Sequence, residues 1–180
     1  MNSPLPPHPP MERLNAPELP TAMRCPASGG LWVRPDAFWA WRARQPEGAL
    51  AEPSGEQPGP AGDSPAGKRC PEDGAFLIAH RVGEGLDLHL DRCGRCGGMW
   101  FDAGEWEALR GAGLLDRLHL VFTSAWQARA RRQRKLEQDE AHAEDAFGPE
   151  LVPRLREVRE LLRHHPLRAQ IAAYLHAGEE

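Results

Sequence analysis

The spacing of apolar positions changes several times along the chain, and each change predicts an element. Leu86, Leu88 and Leu90 alternate with Asp87, His89 and Asp91, the signature of a half-buried strand. A strand-like run from Ala75 to Val82 precedes it across a turn at Gly83-Glu84-Gly85, so the two runs read as a hairpin. From Ala112 onward the period lengthens. Leu114, Leu118, Val121, Phe122, Ala125 and Trp126 recur every three or four residues, which is one apolar face of a helix. This helix is expected to continue through ARARRQRKLEQDEAHAEDA until Gly148-Pro149 stops it. A second helix fits Glu150 to His164, with Leu151, Leu155, Val158 and Leu162 on one side. Pro166 breaks it, and a short third helix carries Ile171, Tyr174 and Leu175.

Composition divides the chain further. Gly and Pro, 18 each, make up a fifth of the 180 residues, well above ordinary usage. Residues 1–22 are Pro-rich and are expected to be disordered. Residues 45–68, QPEGALAEPSGEQPGPAGDSPAGK, hold five Pro and five Gly with one Leu and no aromatic, so they are expected to form a linker. That leaves a short island at 23–44, a compact segment at 69–112 and a helical region at 113–180. The formal net charge is -4, which argues against binding to nucleic acid through phosphates alone. There is neither an apolar run of membrane-spanning length nor the apolar core of a secretory signal near the first residues. A cytoplasmic location is therefore expected, and Cys25, Cys70, Cys93 and Cys96 read there as metal ligands or redox groups rather than disulfides.

The island repeats part of the compact segment. RCPASGGLWVRPDAFWAWR (Arg24 to Arg42) aligns without gaps on RCGRCGGMWFDAGEWEALR (Arg92 to Arg110). The Arg, Cys, Gly-Gly, Trp and final Arg coincide, and Phe38 falls on Trp106. Ser28 stands where the second copy has Cys96, so the island reads as a degenerate half-ribbon that has lost one ligand.

The compact segment carries the chemistry. Cys70-Pro-Glu-Asp73-Gly opens it as a tight knuckle, the hairpin follows, and Cys93-Gly-Arg-Cys96 closes it as a second knuckle. Two cysteines two residues apart chelate one ion when the turn between them is tight, and Gly97-Gly98 supply the backbone freedom for that turn. Zinc suits such donors, being redox-inert, tetrahedral and bound well by thiolate. The run Asp91-Arg-Cys-Gly-Arg-Cys-Gly-Gly-Met-Trp-Phe-Asp-Ala-Gly-Glu105 closely resembles the bacterial zinc-ribbon family named after the transcription factor IIB type zinc finger. The resemblance covers about forty residues and implies a zinc-binding module, without by itself implying a role in transcription. Relative to the family pattern, Gly94 replaces a Pro and Asp73 replaces a Cys. On spacing, Asp73 is the expected fourth ligand beside Cys70, Cys93 and Cys96. His80, His89, Cys25 or a water are the alternatives.

The remaining candidates have plainer readings. Asp102 and Glu105 fit an N-cap and capping box at the start of a helix, rather than a catalytic carboxylate pair. Trp100 and Trp106 are expected to cover the core beside the metal. Cys93 and Cys96 as a redox pair would need a larger α/β unit than the chain contains, so no enzyme is expected. The overall fold class is small α+β: a zinc-ribbon hairpin with a following helix, then an α-helical C-terminal region. The expected function is a zinc-structured module that binds a protein partner or associates with itself through the C-terminal helices, as a regulatory adaptor. The alternative is binding to nucleic acid through the basic helix 129–135, where Arg129, Arg131, Arg132, Arg134 and Lys135 cluster.

Overall fold

A computed structural model of the chain describes residues 1–53, 64 and 67–177. These residues fall into two compact units, 1–131 and 132–180.

The first unit is organised by a six-stranded antiparallel sheet in the order β1-β2-β3-β6-β5-β4. The strands are β1 (Glu12–Leu14), β2 (Ala22–Arg24), β3 (Leu31–Val33), β4 (Leu77–Gly83), β5 (Leu86–Cys93) and β6 (Met99–Phe101). The predicted hairpin is β4–β5, which turns through Glu84 with Gly83 and Gly85 at positive φ. Helix α1 (Pro35–Arg42) follows β3, and α2 (Glu105–Gly111) follows β6. Pro35 at the first helical position and Arg42 in the last turn of α1 are the residue types these positions favour.

The middle of the sheet has a pseudo-two-fold arrangement. Strands β3 and β6 pair antiparallel with Trp32 opposite Trp100, Leu31 opposite Phe101 and Val33 opposite Met99. In the sequence repeat, Leu31 matches Met99 and Val33 matches Phe101, so this register is the one that a two-fold axis through the tryptophan pair produces. Alternation then assigns the faces. Leu31, Val33, Met99 and Phe101 pack on one side with Phe38, Trp41, Trp106 and Leu109 from α1 and α2. Trp32 and Trp100 lie on the other side with Leu5, Met11, Cys25, Cys70 and Cys93. Both faces are covered, which is why every residue of β3 and β6 is buried.

Several expectations need correction. Residues 1–22 are not disordered: β1 lies among them, and Ser3, Leu5 and Met11 are buried. Their prolines border a short strand that pairs through residues 12–14, so Pro removes no ladder bond there. The island 23–44 is consequently more than a half-ribbon, because β1 and β2 precede its knuckle and complete a three-stranded unit. Of the expected linker 45–68, residues 54–63 and 65–66 lie outside the described residues. Its two ends are docked. Leu50 packs against the larger core. Ala51 comes so close to Gly113 that a Cβ there would meet its carbonyl oxygen at 2.4 Å, and Lys68 is buried.

The single helix expected from Ala112 is broken. A 3-10 turn (Leu115–Arg117) leads into α3 (Leu118–Val121), and α4 (Ser124–Phe147) starts afresh. The break is local chemistry. Thr123 donates its hydroxyl to Leu120 O (2.7 Å) and accepts from the Trp126 N–H (3.3 Å), so it closes one helix and caps the next. Most of the apolar face still docks, with Leu114, Leu118, Val121 and Trp126 buried and Phe122 half-buried, whereas Ala125 is exposed. In the second unit, α5 (Leu151–Leu162) and α6 (Arg168–His176) flank the interruption at Pro166.

Candidate metal centre

Each knuckle is fixed by backbone bonds before any metal is considered. The Cys70 N–H donates to Ala75 O (2.7 Å) and the Gly74 N–H to Cys70 O (2.9 Å). At the second knuckle the Cys93 N–H donates to Gly98 O (2.9 Å) and the Gly97 N–H to Cys93 O (3.0 Å). Gly74 and Gly97 close these turns at φ +71° and +74°, a region that costs most side chains strain. The sulfurs in turn accept backbone N–H groups. Glu72 N lies 3.4 Å from Cys70 Sγ, Arg95 N 3.4 Å and Cys96 N 3.5 Å from Cys93 Sγ, and Gly98 N 3.4 Å from Cys96 Sγ. Partners of this kind orient metal ligands and moderate their charge.

The two knuckles bring four donors together. Donor atoms of Cys70, Asp73, Cys93 and Cys96 all lie within 4.8 Å of one another. Cys70 Sγ is 3.5 Å from Cys96 Sγ, and Cys93 Sγ is 3.5 Å from Asp73 Oδ2. Tetrahedral zinc with Zn–S near 2.3 Å and Zn–O near 2.1 Å requires donor separations of about 3.6–3.8 Å. Three thiols and one carboxylate at these spacings fit zinc, with Cys70 and Cys93 buried and Asp73 at the solvent side.

Electrostatics prepares the donors unequally. Burial pushes the Cys70 thiol up to about 12 and raises that of Cys96. For Cys93 burial acts in the same direction, but the N–H groups of Cys96 and Arg95 outweigh it and leave that thiol below its ordinary value. The Asp73 carboxyl is held below its usual range by the Ala75 N–H, with the cysteine thiols and Arg95 assisting. Arg95 Nε stands 3.8 Å from its Oδ2.

The other residues proposed as a fourth ligand lie elsewhere. The His80 ring is edge-on to Phe122, centroids 5.2 Å apart. His89 is opposite Arg81 in the β4–β5 register. Cys25 is buried in its own turn, its N–H donating to Gly30 O (2.8 Å). The donor cluster contains none of the three.

A family model described as a transcription factor zinc-finger matches residues 69–110. Those residues are a zinc ribbon of the transcription factor IIB type. No curated protein and no solved structure matches the chain. The ribbon's metal-side core differs from the one expected. Trp100 packs with the cysteines, whereas Trp106 belongs to the opposite core, edge-on to Phe101 and Trp41.

The capping expectation is half met. The Asp102 N–H donates to Glu105 Oε2 (2.8 Å), but the Asp102 carboxylate caps nothing, and α2 starts from Gly104. That carboxylate is taken by buried partners instead. It accepts from Trp100 Nε1 (2.7 Å), Lys68 Nζ (2.8 Å) and the Ser64 N–H (2.8 Å). Lys68 Nζ also reaches Asp91 Oδ2 at 2.5 Å. Sequence reasoning missed Lys68 because it closes a low-complexity stretch. The available signal was a cation two residues before Cys70, ahead of a ribbon with more acidic than basic residues.

Proposed function

We propose that the chain is a zinc-structured interaction module in which Cys70, Asp73, Cys93 and Cys96 hold one Zn2+ and the C-terminal helices engage a protein partner or a second copy. The convergence of the four donors within 4.8 Å carries the metal assignment. A structural rather than catalytic role is supported by the surroundings. Glu72, inside the first knuckle, accepts from Trp32 Nε1 (3.3 Å), and the buried carboxylates Asp91, Asp102 and Glu105 are engaged by Lys68, Trp100 and the Asp102 N–H. Three cysteines kept as reduced ligands suit the cytoplasm, and no described helix is long and apolar enough to cross a membrane.

The partner surface is supported by the second unit. Leu151, Leu155 and Val158 lie along one side of α5 and are 46%, 41% and 42% exposed, and Leu161 and Tyr174 are more exposed still. Apolar exposure of this extent on adjacent turns marks contact surfaces. The deciding experiment is metal content per chain for the native protein and for Cys93→Ser and Asp73→Ala. The expected result is one zinc, lost with Cys93→Ser and weakened with Asp73→Ala. A native protein without zinc, with Cys93 and Cys96 joined as a disulfide, would refute the reading. Light scattering on wild type and Leu155→Glu tests the surface: an assembly that the substitution dissolves is expected, and a concentration-independent monomer refutes self-association.

One observation supports nucleic-acid binding as the second reading. Glu140 and Glu144, in the acidic run after the basic patch, pair with Arg156 of α5 at 3.2 and 3.9 Å. Arg131, Arg132, Arg134 and Lys135 stay exposed, whereas Arg129 is engaged by Glu84 and Trp126. Retention on DNA that falls steeply with salt would favour this reading over the first.

A further inference from the structure

The repeat reaches further along the chain than the aligned segment. The turn at Cys25 has the bonds of the metal knuckles: Cys25 N–H to Gly30 O (2.8 Å) and Gly29 N–H to Cys25 O (2.8 Å). A fourth turn begins at Ser3, whose N–H donates to Pro9 O (2.8 Å). It is one residue longer than the Cys70 turn. An Asn2–Pro10 bridge flanks it as an Arg69–Phe76 bridge flanks the Cys70 turn, and His8 takes the left-handed conformation that Gly74 takes there.

The side chains correspond as well. The Leu5 N–H donates to Ser3 Oγ (3.2 Å) as the Glu72 N–H donates to Cys70 Sγ (3.4 Å). The Gly30 N–H donates to Ser28 Oγ (3.3 Å) as the Gly98 N–H donates to Cys96 Sγ (3.4 Å). Ser3, Cys25 and Ser28 therefore occupy the places of Cys70, Cys93 and Cys96. Counting back from the left-handed residue, Pro7 occupies the place of Asp73 and offers no donor. His8 Nδ1 is turned to Ser3 O at 2.8 Å.

We propose that residues 1–44 are a complete second ribbon that holds no metal, its ligand positions taken by Ser3, Cys25 and Ser28, so that the chain folds as two paired ribbons around one ion. The donor chemistry requires this. Protein zinc sites use thiolate, imidazole and carboxylate, and one thiol with two neutral hydroxyls supplies one such group. The lost metal is compensated by pairing. The Trp100 ring lies over Gly30 and the Trp32 ring over Gly98, each so close that a Cβ would fall 2.2 and 2.1 Å from it. Each ribbon thus lends the other an aromatic lid, and the two serine hydroxyls are engaged by the Leu5 and Gly30 N–H groups.

The proposal rests on the ligand assignment above, and the test separates the two. Native mass spectrometry and cobalt substitution would be run on wild type, Cys25→Ser, and Ser3→Cys combined with Ser28→Cys. One metal per chain, unchanged in Cys25→Ser, is expected. The double variant is expected to bind a second cobalt, doubling the thiolate-to-cobalt absorption. Two metals in wild type overturns the proposal while leaving the first site intact, whereas loss of the single metal in Cys25→Ser overturns both the proposal and the ligand assignment. No metal at all overturns the ligand assignment and this proposal together. A folded double variant that still binds one cobalt also overturns it, and if that variant does not fold, the wild-type and Cys25→Ser stoichiometries decide.

Discussion

Asp73 and the cysteines around it make distinguishable predictions. Carboxylate is a poorer ligand for a thiophilic ion than thiolate, so Asp73→Cys should tighten zinc binding by about tenfold or more, and Asp73→Ala should weaken it by a similar factor. Competition with a chromophoric chelator would measure both. The pH dependence follows from the thiols. Cys70 and Cys96 have raised pKa values, so they hold protons at neutral pH that the metal must displace. Apparent affinity should therefore fall as pH falls, by about tenfold per unit for each proton released. Asp73, with its pKa lowered, is already ionised across that range, so Asp73→Ala should reduce affinity without changing the slope. Lys68 belongs to the same scale. Removing it as Lys68→Met leaves Asp91 and Asp102 buried without their cation, which costs about 3–5 kcal/mol. The urea midpoint of the zinc-loaded protein should drop accordingly.

Among the elements, the β3–β6 pair is the most constrained. Gly30 and Gly98 must lack a side chain because a tryptophan from the other repeat fills that space. Gly30→Ala and Gly98→Ala should each destabilise by about 1–3 kcal/mol, the range for overpacking a core. The pseudo-symmetry predicts that the two losses are similar, although only one glycine belongs to the metal-binding ribbon. Thermal unfolding of both variants would check this. At one edge of the sheet, β4 is protected without another strand: Gln127 brackets Arg81 through its N–H (3.3 Å) and carbonyl (2.9 Å), and Trp126 Nε1 donates to Val82 O (2.8 Å). Covering an edge in this way limits strand-to-strand association.

In the whole molecule, the four metal donors and nearly all of the buried core lie in residues 1–131. A chain ending at residue 131 should keep its sheet and one zinc per chain, as read by circular dichroism and metal content, and should lose any self-association. The sequence by itself determined what depends on near neighbours. The β4–β5 hairpin follows from two-residue alternation, and the helix stops follow from Gly148-Pro149 and Pro166. The three cysteine donors, with Asp73 as the expected fourth, follow from the knuckles because each is a short local turn, whereas placing Asp73 beside the thiols and His80, His89 and Cys25 outside the cluster took the tertiary structure. The tertiary structure decided what depends on long-range packing. Nothing local shows that Lys68 is buried between Asp91 and Asp102, 23 and 34 residues away. Nor could composition reveal the order of residues 1–22. Their few apolar groups gain a core only when β2 pairs with β3 and β3 with β6, bringing Leu5 and Met11 under Trp32 and Trp100.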